Sequence, residues 1–154
     1  PTQQGFEAYA SYHRAFPEIQ QAWEAIVKTV REERMLFTPI GRRLIWLERL
    51  TEESFDSVIA FVPQSTIGDK VSSVIYECHE DDDWPRDARM VLNVHDALIA
   101  IHKPDDASTV QRLMKKHAES PIMIRGQAVH IGTDIKQSEP GEDGVHRWST
   151  LVEL

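Results

Sequence analysis

Two apolar runs, Met90 to Val94 (interrupted only by Asn93) and Leu98 to Ile101, constrain this chain more than any other feature; only His95, Asp96 and Ala97 separate them. A strand with one wet face alternates apolar and polar side chains, whereas a run that is apolar at nearly every position belongs between two covering layers. The spacing therefore predicts two adjacent central strands of a helix-covered sheet with a polar tip between them. Tight hairpin tips favour Asn-Gly or Asp-Gly because the favoured turns need positive φ, and His95-Asp96 supplies neither glycine nor asparagine at the second position. Such a departure marks either a functional constraint or an ordinary exposed turn whose His and Asp face water. The pattern alone leaves both open.

Elsewhere the periodicity changes. Ile19, Ala22, Trp23, Ile26, Val27 and Val30 recur at helical spacing behind Pro17, which suits a first turn, so a helix runs to about Glu33, with a shorter one before it through Phe6, Tyr9, Ala10 and His13. Leu36 to Thr38 and Arg43 to Trp46 read as short strands around the tight loop Pro39, Ile40 and Gly41. Phe55, Val58, Ile59 and Val62 are helical up to Pro63, which is expected to break or kink the pattern, with a second helix beginning there and carrying Ile67, Val71, Val74 and Ile75. Val110, Leu113, Met114 and His117 mark a further helix with Asp105 or Asp106 as N-cap. Ile122 to Arg125 and Ala128 to Thr133 read as strands joined around Gly126, Ser138 to Gly144 as a polar loop, and Trp148 with Leu151 as the tail packing back down. The fold class expected is α+β, helices packed on a small antiparallel sheet.

At 154 residues and 41% apolar content the chain suits a single unit spanning 1–154 with one core, and no repeat, linker or low-complexity tract divides it. No apolar stretch approaches the roughly 20 residues that span a bilayer, and no leader pattern opens the sequence, so no membrane is expected and a cytoplasmic location is. The lone Cys78 has no disulfide or C-x-x-C partner, which fits a reducing compartment. Pro1 fits a mature terminus left by removal of an initiator Met, and equally a cleavage boundary. A net charge of −8 argues against a nucleic-acid partner on average. The average hides a basic segment, Lys28, Arg31, Arg34, Arg42, Arg43 and Arg49, apart from the acidic run Glu80 to Asp83. That division fits a basic face on an acidic body and equally a solvated helix flank and loop.

Four segments, taken in order, resemble the C-terminal third of the polymerase domain of family A (Pol I-type) DNA polymerases, most of all the phage-like members. Tyr12-His13-Arg14-Ala15-Phe16-Pro17-Glu18-Ile19 resembles the segment that follows the fingers, and Thr38-Pro39-Ile40-Gly41-Arg42-Arg43-Leu44 resembles the family's T-x-x-G-R-R pattern. Val62-Pro63-Gln64-Ser65-Thr66-Ile67-Gly68-Asp69 resembles its P-Q-S-T-x-G-D helix start, and Met90 through Leu98 resembles motif C, L-x-V-H-D-E. Each match is weak alone; the ordered set covers nearly the whole chain.

The resemblance implies the C-terminal portion of a polymerase palm, acting in DNA replication in a bacterial or phage-infected cell. It implies that Asp96 is a catalytic residue that binds two Mg²⁺ ions shared with a motif A aspartate absent from this chain. His95 would lie near the primer 3′ end as a second catalytic residue. Gln64 would contact the primer terminus in the minor groove, where an amide can meet the acceptors of any base pair, and Arg42 and Arg43 would face the DNA. The partners implied are a DNA primer-template, a dNTP and a polypeptide carrying the fingers, thumb and motif A, regions that would lie upstream of Pro1. The chain thus reads as one product of a split polymerase or a fragment of a longer one, inactive without those regions. Two departures stand out: Ala97 where many relatives have a glutamate, and Asp56 where bacterial relatives tend to have an arginine.

Other clusters carry less. The acidic run before Trp84-Pro85 reads as a solvated loop, Cys78-His79 lacks the other ligands of a zinc site, and His102, His117, His130 and His146 are scattered singly as surface or satisfied core histidines. The rival enzyme is a His-Asp metal phosphohydrolase, which places its pair on helices, whereas both flanks here read as strands. A third reading is a non-catalytic assembly module.

Overall fold

The computed structural model of the chain describes residues 2–142, 144 and 146–153, with Trp148 described in its backbone only. The terminal reading of Pro1 and the packing expected of Trp148 lie outside the described residues. The chain falls into two compact units, Pro1–Thr66 and Ile67–Leu154, whose boundary lies inside a helix. The fold is α+β, and every sheet among the described residues is a two-stranded antiparallel hairpin.

In the first unit, α1 (Gln3–Ala15) starts where the Thr2 hydroxyl accepts the Gly5 N–H, and ends where the Phe16 N–H bonds Tyr12 O. Pro17 then opens α2 (Pro17–Glu33), where a first-turn proline loses no hydrogen bond. Arg34, at φ 58°, closes α2 in the left-handed conformation typical of helix C-termini and turns the chain into β1 (Met35–Phe37). β1 pairs with β2 (Arg43–Ile45), Leu36 opposite Leu44, around the tight loop that the sequence predicts. Thr38 fastens that loop from both sides: its N–H bonds Arg42 O at 2.8 Å and its hydroxyl accepts the Arg42 N–H at 3.0 Å. Val30, Leu36 and Val58 form the buried centre, with Ile26, Leu44, Trp46, Leu50, Phe61 and Val62 around them.

α3 (Glu52–Glu80) corrects the expected break at Pro63: 29 residues form one helix with the proline inside it. At its start the Thr51 N–H bonds Ser54 Oγ and the Ser54 hydroxyl returns to Thr51 O. Pro63 removes one donor from the ladder and points to solvent. The flanking turns are held by burial, Val58 on one side and Thr66 on the other, and the Thr66 hydroxyl bonds Val62 O at 2.6 Å. Packing on both sides outweighs one lost hydrogen bond, so the helix continues.

The second unit adds β3 (Arg89–Val94), β4 (Ala97–Ile101), a 3₁₀ turn (Pro104–Asp106), α4 (Ala107–Ala118), β5 (Ile122–Ile124), β6 (Gln127–Val129), β7 (Lys136–Pro140) and β8 (His146–Glu153). Val71, Val74 and Cys78 on α3, Val110 and Leu113 on α4, and Ala88 and Ile122 are its buried apolar residues. Asp106 is the N-cap of α4, but its side chain makes no cap hydrogen bond because the preceding 3₁₀ turn already occupies the entry. The expected polar loop is shorter than its sequence suggests, since Ser138 to Pro140 pair within β7. The largest correction concerns β3 and β4. They are not central strands: among the described residues they pair only with each other, and Val91, Leu92, Val94 and Ile101 are exposed.

Because Pro63 is exposed and costs the helix a hydrogen bond, Pro63→Ala should raise stability by up to about 3 kcal/mol. Denaturant unfolding measures this; a destabilised variant would show that the helix is fitted to a proline bend.

Candidate functional site at the His95-Asp96 hairpin tip

β3 and β4 meet in a two-residue loop, with Val94 opposite Ala97 and His95-Asp96 at the tip. A register shift between Met90 and Leu92 places an extra residue, Val91, in β3, and a bulge of this kind re-aims the side chains beyond it. His95 takes φ 57°, in the left-handed region, while Asp96 does not have positive φ. That conformation costs a residue with a Cβ about 1 kcal/mol, though histidine tolerates it better than most. At the β5–β6 tip both loop residues have positive φ, Arg125 at 51° in the place that His95 holds here and Gly126 at 82° beside it.

Both tip side chains are exposed. Among the described residues none bonds or pairs with the Asp96 carboxylate, which leaves its oxygens open as acceptors. Arg42 ends the β1–β2 loop of the first unit and Arg43 opens β2 opposite Phe37, and both are exposed. Gln64 is exposed on α3 in the same unit, one residue past Pro63. The structure thus joins His95 to Asp96 at one tip, and Arg42 to Arg43 on another. Among the described residues no three His, Cys, Asp or Glu side chains gather to hold a metal ion. Mg²⁺ is commonly held by one or two carboxylates plus substrate phosphates, and the open Asp96 carboxylate has the oxygen chemistry of one such ligand.

A second constellation lies where the sequence showed only scattered residues. Asp81, in the acidic run expected to be a solvated loop, is 12% exposed and accepts Lys116 Nζ at 2.7 Å and His117 Nε2 at 2.9 Å on one oxygen, and the Asp83 N–H on the other. Hydrogen bonds from Lys116 and His117 hold its carboxyl well below the usual carboxylate range. His117 Nδ1 meets Glu77 Oε2 at 3.2 Å, so this histidine is a satisfied, half-buried one. Lys70, 7% exposed, donates to His117 O at 2.7 Å and to Ser120 Oγ at 2.5 Å, closing the C-terminal end of α4 with a cation. Beside this network burial, then the charges of Glu77 and Asp81, push the Cys78 thiol up to about 11. Nothing in the sequence signals this network, because folding joins Lys70, Glu77 and Asp81 to residues of α4 and its end that lie far along the chain.

Comparison with protein-family models, curated proteins and solved structures found no match to this chain. No helix among the described residues is long and apolar enough to cross a membrane.

Because the thiolate is the reactive form, the folded chain should alkylate at Cys78 at least roughly a hundredfold more slowly near pH 8 than an unfolded control. Iodoacetamide labelling followed by mass measurement tests this; equal rates would place the thiol in contact with solvent.

Proposed function

We propose that the chain is the C-terminal palm part of a family A DNA-directed DNA polymerase, contributing one metal-binding aspartate and contacts to the primer terminus. The observation that carries this reading is the hairpin tip, where an exposed, unengaged Asp96 carboxylate stands beside a histidine held at positive φ between two apolar strands. The four ordered sequence segments support it, and so does the uncovered apolar surface: Val91, Leu92, Val94 and Ile101 on the hairpin, and Phe6, Tyr9 and Tyr12 on α1 with Phe16 just past its end. Surface of that kind suits a chain that completes a larger fold with another polypeptide.

In this reading Asp96 offers anionic oxygen to Mg²⁺ together with a carboxylate of the partner polypeptide that carries the fingers, thumb and motif A. Mg²⁺ bound there with primer-template and dNTP would supply Lewis-acid chemistry, lowering the charge on the transferred phosphate. The chain's own groups do the positioning. His95 presents an imidazole beside Asp96, Gln64 presents a neutral amide suited to minor-groove acceptors, and Arg43, with Arg42, presents guanidinium groups suited to phosphate. Ala97 leaves no further carboxylate beside Asp96. A His-Asp metal phosphohydrolase would carry its pair on helices, and here the pair sits in a two-residue β-hairpin loop.

The isolated chain should extend no primer, with or without Mg²⁺, since one carboxylate and no triphosphate clamp assemble no two-metal site. In complex with the missing region, Asp96→Asn should fold and bind DNA yet lose several orders of magnitude in primer extension. Near-normal extension by that complex would end the motif C assignment, and normal assembly with no extension by the parent complex would favour the assembly module.

Gln64→Ala should reduce use of the primer terminus by roughly tenfold or less, the value of one hydrogen bond of about 0.5–1.5 kcal/mol. The loss should be equal for all four terminal base pairs. A primer-extension series at fixed salt checks this, and a defect confined to one pair, or rescued by more Mg²⁺, would remove Gln64 from the DNA.

A further inference from the structure

Residues 63–72 of α3 gather three kinds of weakness that act on a helix from inside. Pro63 has no N–H, so the carbonyl of Ile59 loses the ladder bond that residue 63 would give it, and the ring crowds that carbonyl. Thr66 Oγ1 donates to Val62 O at 2.6 Å and Ser72 Oγ donates to Gly68 O at 2.9 Å; hydroxyls returned to the carbonyl four residues back slightly destabilise and bend a helix. Gly68 is the third. A Cβ built there would meet nothing within 4 Å, so no close approach requires glycine, and its backbone freedom only costs the helix.

The flanks are the opposite. Val58, with Phe61 and Val62, belongs to the cluster around Val30 and Leu36. Val71, Val74 and Cys78 are buried in the second unit, where Lys70 also donates to His117 O and Ser120 Oγ. The boundary between the two compact units falls at Thr66 and Ile67, inside the weak stretch. A helix anchored at both ends and weakened in the middle opens at the weak turns before either end leaves its core.

We propose that residues 63–68 of α3 are a flexion joint, independent of the polymerase reading. The turns there open and reclose while residues 52–62 and 69–80 stay helical and docked, so α3 changes direction at a fixed place. Proline fixes the place, because no rotation restores an N–H. Glycine supplies the range, because it crosses φ and ψ values barred to residues with a Cβ. Pro63 and Gln64 are exposed, so backbone groups freed beside them find water at once. The Thr66 hydroxyl keeps Val62 O bonded when the Thr66 N–H lets go, which limits the cost of each opening.

The test uses the full chain. Spin labels at Ser57→Cys and Tyr76→Cys, both exposed, are separated by about 28 Å along a straight helix. A chain with no added cysteine controls for labelling at the buried Cys78. Pulsed dipolar spectroscopy should give a broad distance distribution that narrows to one peak when Pro63→Ala and Gly68→Ala are combined. Native-state hydrogen exchange should show amides of residues 64–68 less protected than those of Val58 and Val74, with little dependence on added denaturant, the mark of local opening. Gly68→Ala alone should slow their exchange about fivefold, the equivalent of the helix preference of alanine over glycine. A single narrow distance that the paired substitutions leave unchanged would overturn the joint, and so would amides 64–68 with the protection and denaturant slope of Val58 and Val74.

Discussion

One helix carries the apolar burial on which both units depend. α3 supplies Val58 to the cluster with Val30 and Leu36, and supplies Val71, Val74 and Cys78 to the buried set of the second unit. Burial of this kind is worth about 1.5–3 kcal/mol for each large aliphatic side chain, which is why a proline in mid-helix is tolerated. The strands are short by comparison, three residues each in β1, β2, β5 and β6, and isolated hairpins of that length are marginal in water. They are ordered because they are tied to helices: Trp46 N–H returns to Arg34 O at the end of α2, and Glu119 at the end of α4 accepts both the N–H and the hydroxyl of Thr133.

Polar groups divide along the same lines. Where α3 and α4 come together, Lys70, Glu77, Asp81, Lys116 and His117 satisfy one another across the helix pair, and burial of the Lys70 ammonium is supportable because a helix-terminal carbonyl and a hydroxyl receive it. At the β3–β4 tip the reverse holds. Asp96 meets no partner among the described residues, and His95 occupies a backbone conformation that glycine would take at less cost. A network that is complete stabilises a fold; a polar pair left open at a strained tip is available to something outside it.

Much of the architecture was legible because it rests on local periodicity. The helix from Pro17 to Glu33, the hairpin around Gly41, the helix around Val110 and Leu113, and the strand pair around Gly126 follow from apolar spacing and turn residues, although the second strand of that pair ends at Val129 and does not reach Thr133 as expected. The errors share a cause, in that tertiary packing overrode a local rule. Pro63 reads as a break because a proline costs a hydrogen bond, but the residues on either side are buried firmly enough to carry the helix through. Met90 to Ile101 reads as a buried strand pair because its side chains are apolar, and the hairpin formed without the cover that the pattern calls for. The tip was legible as a departure from turn preference; its left-handed histidine was not, because sequence gives the residue and leaves φ open. The Asp81 network was invisible, since its partners are joined by folding across some forty residues.

The mismatch at β3 and β4 carries an argument of its own. Sequence patterns record the environment in which a segment was shaped, and a near-continuous apolar run was shaped where both faces are covered. The described chain covers neither face fully: Leu92 and Ile101 are each more than half exposed, and Leu47 on the other unit is 89% exposed. Monomeric proteins tolerate single exposed apolar residues but rarely a contiguous set. The apolar pattern of this hairpin thus exceeds the cover that the described residues give it, and among those residues the carboxylate at its tip meets no partner.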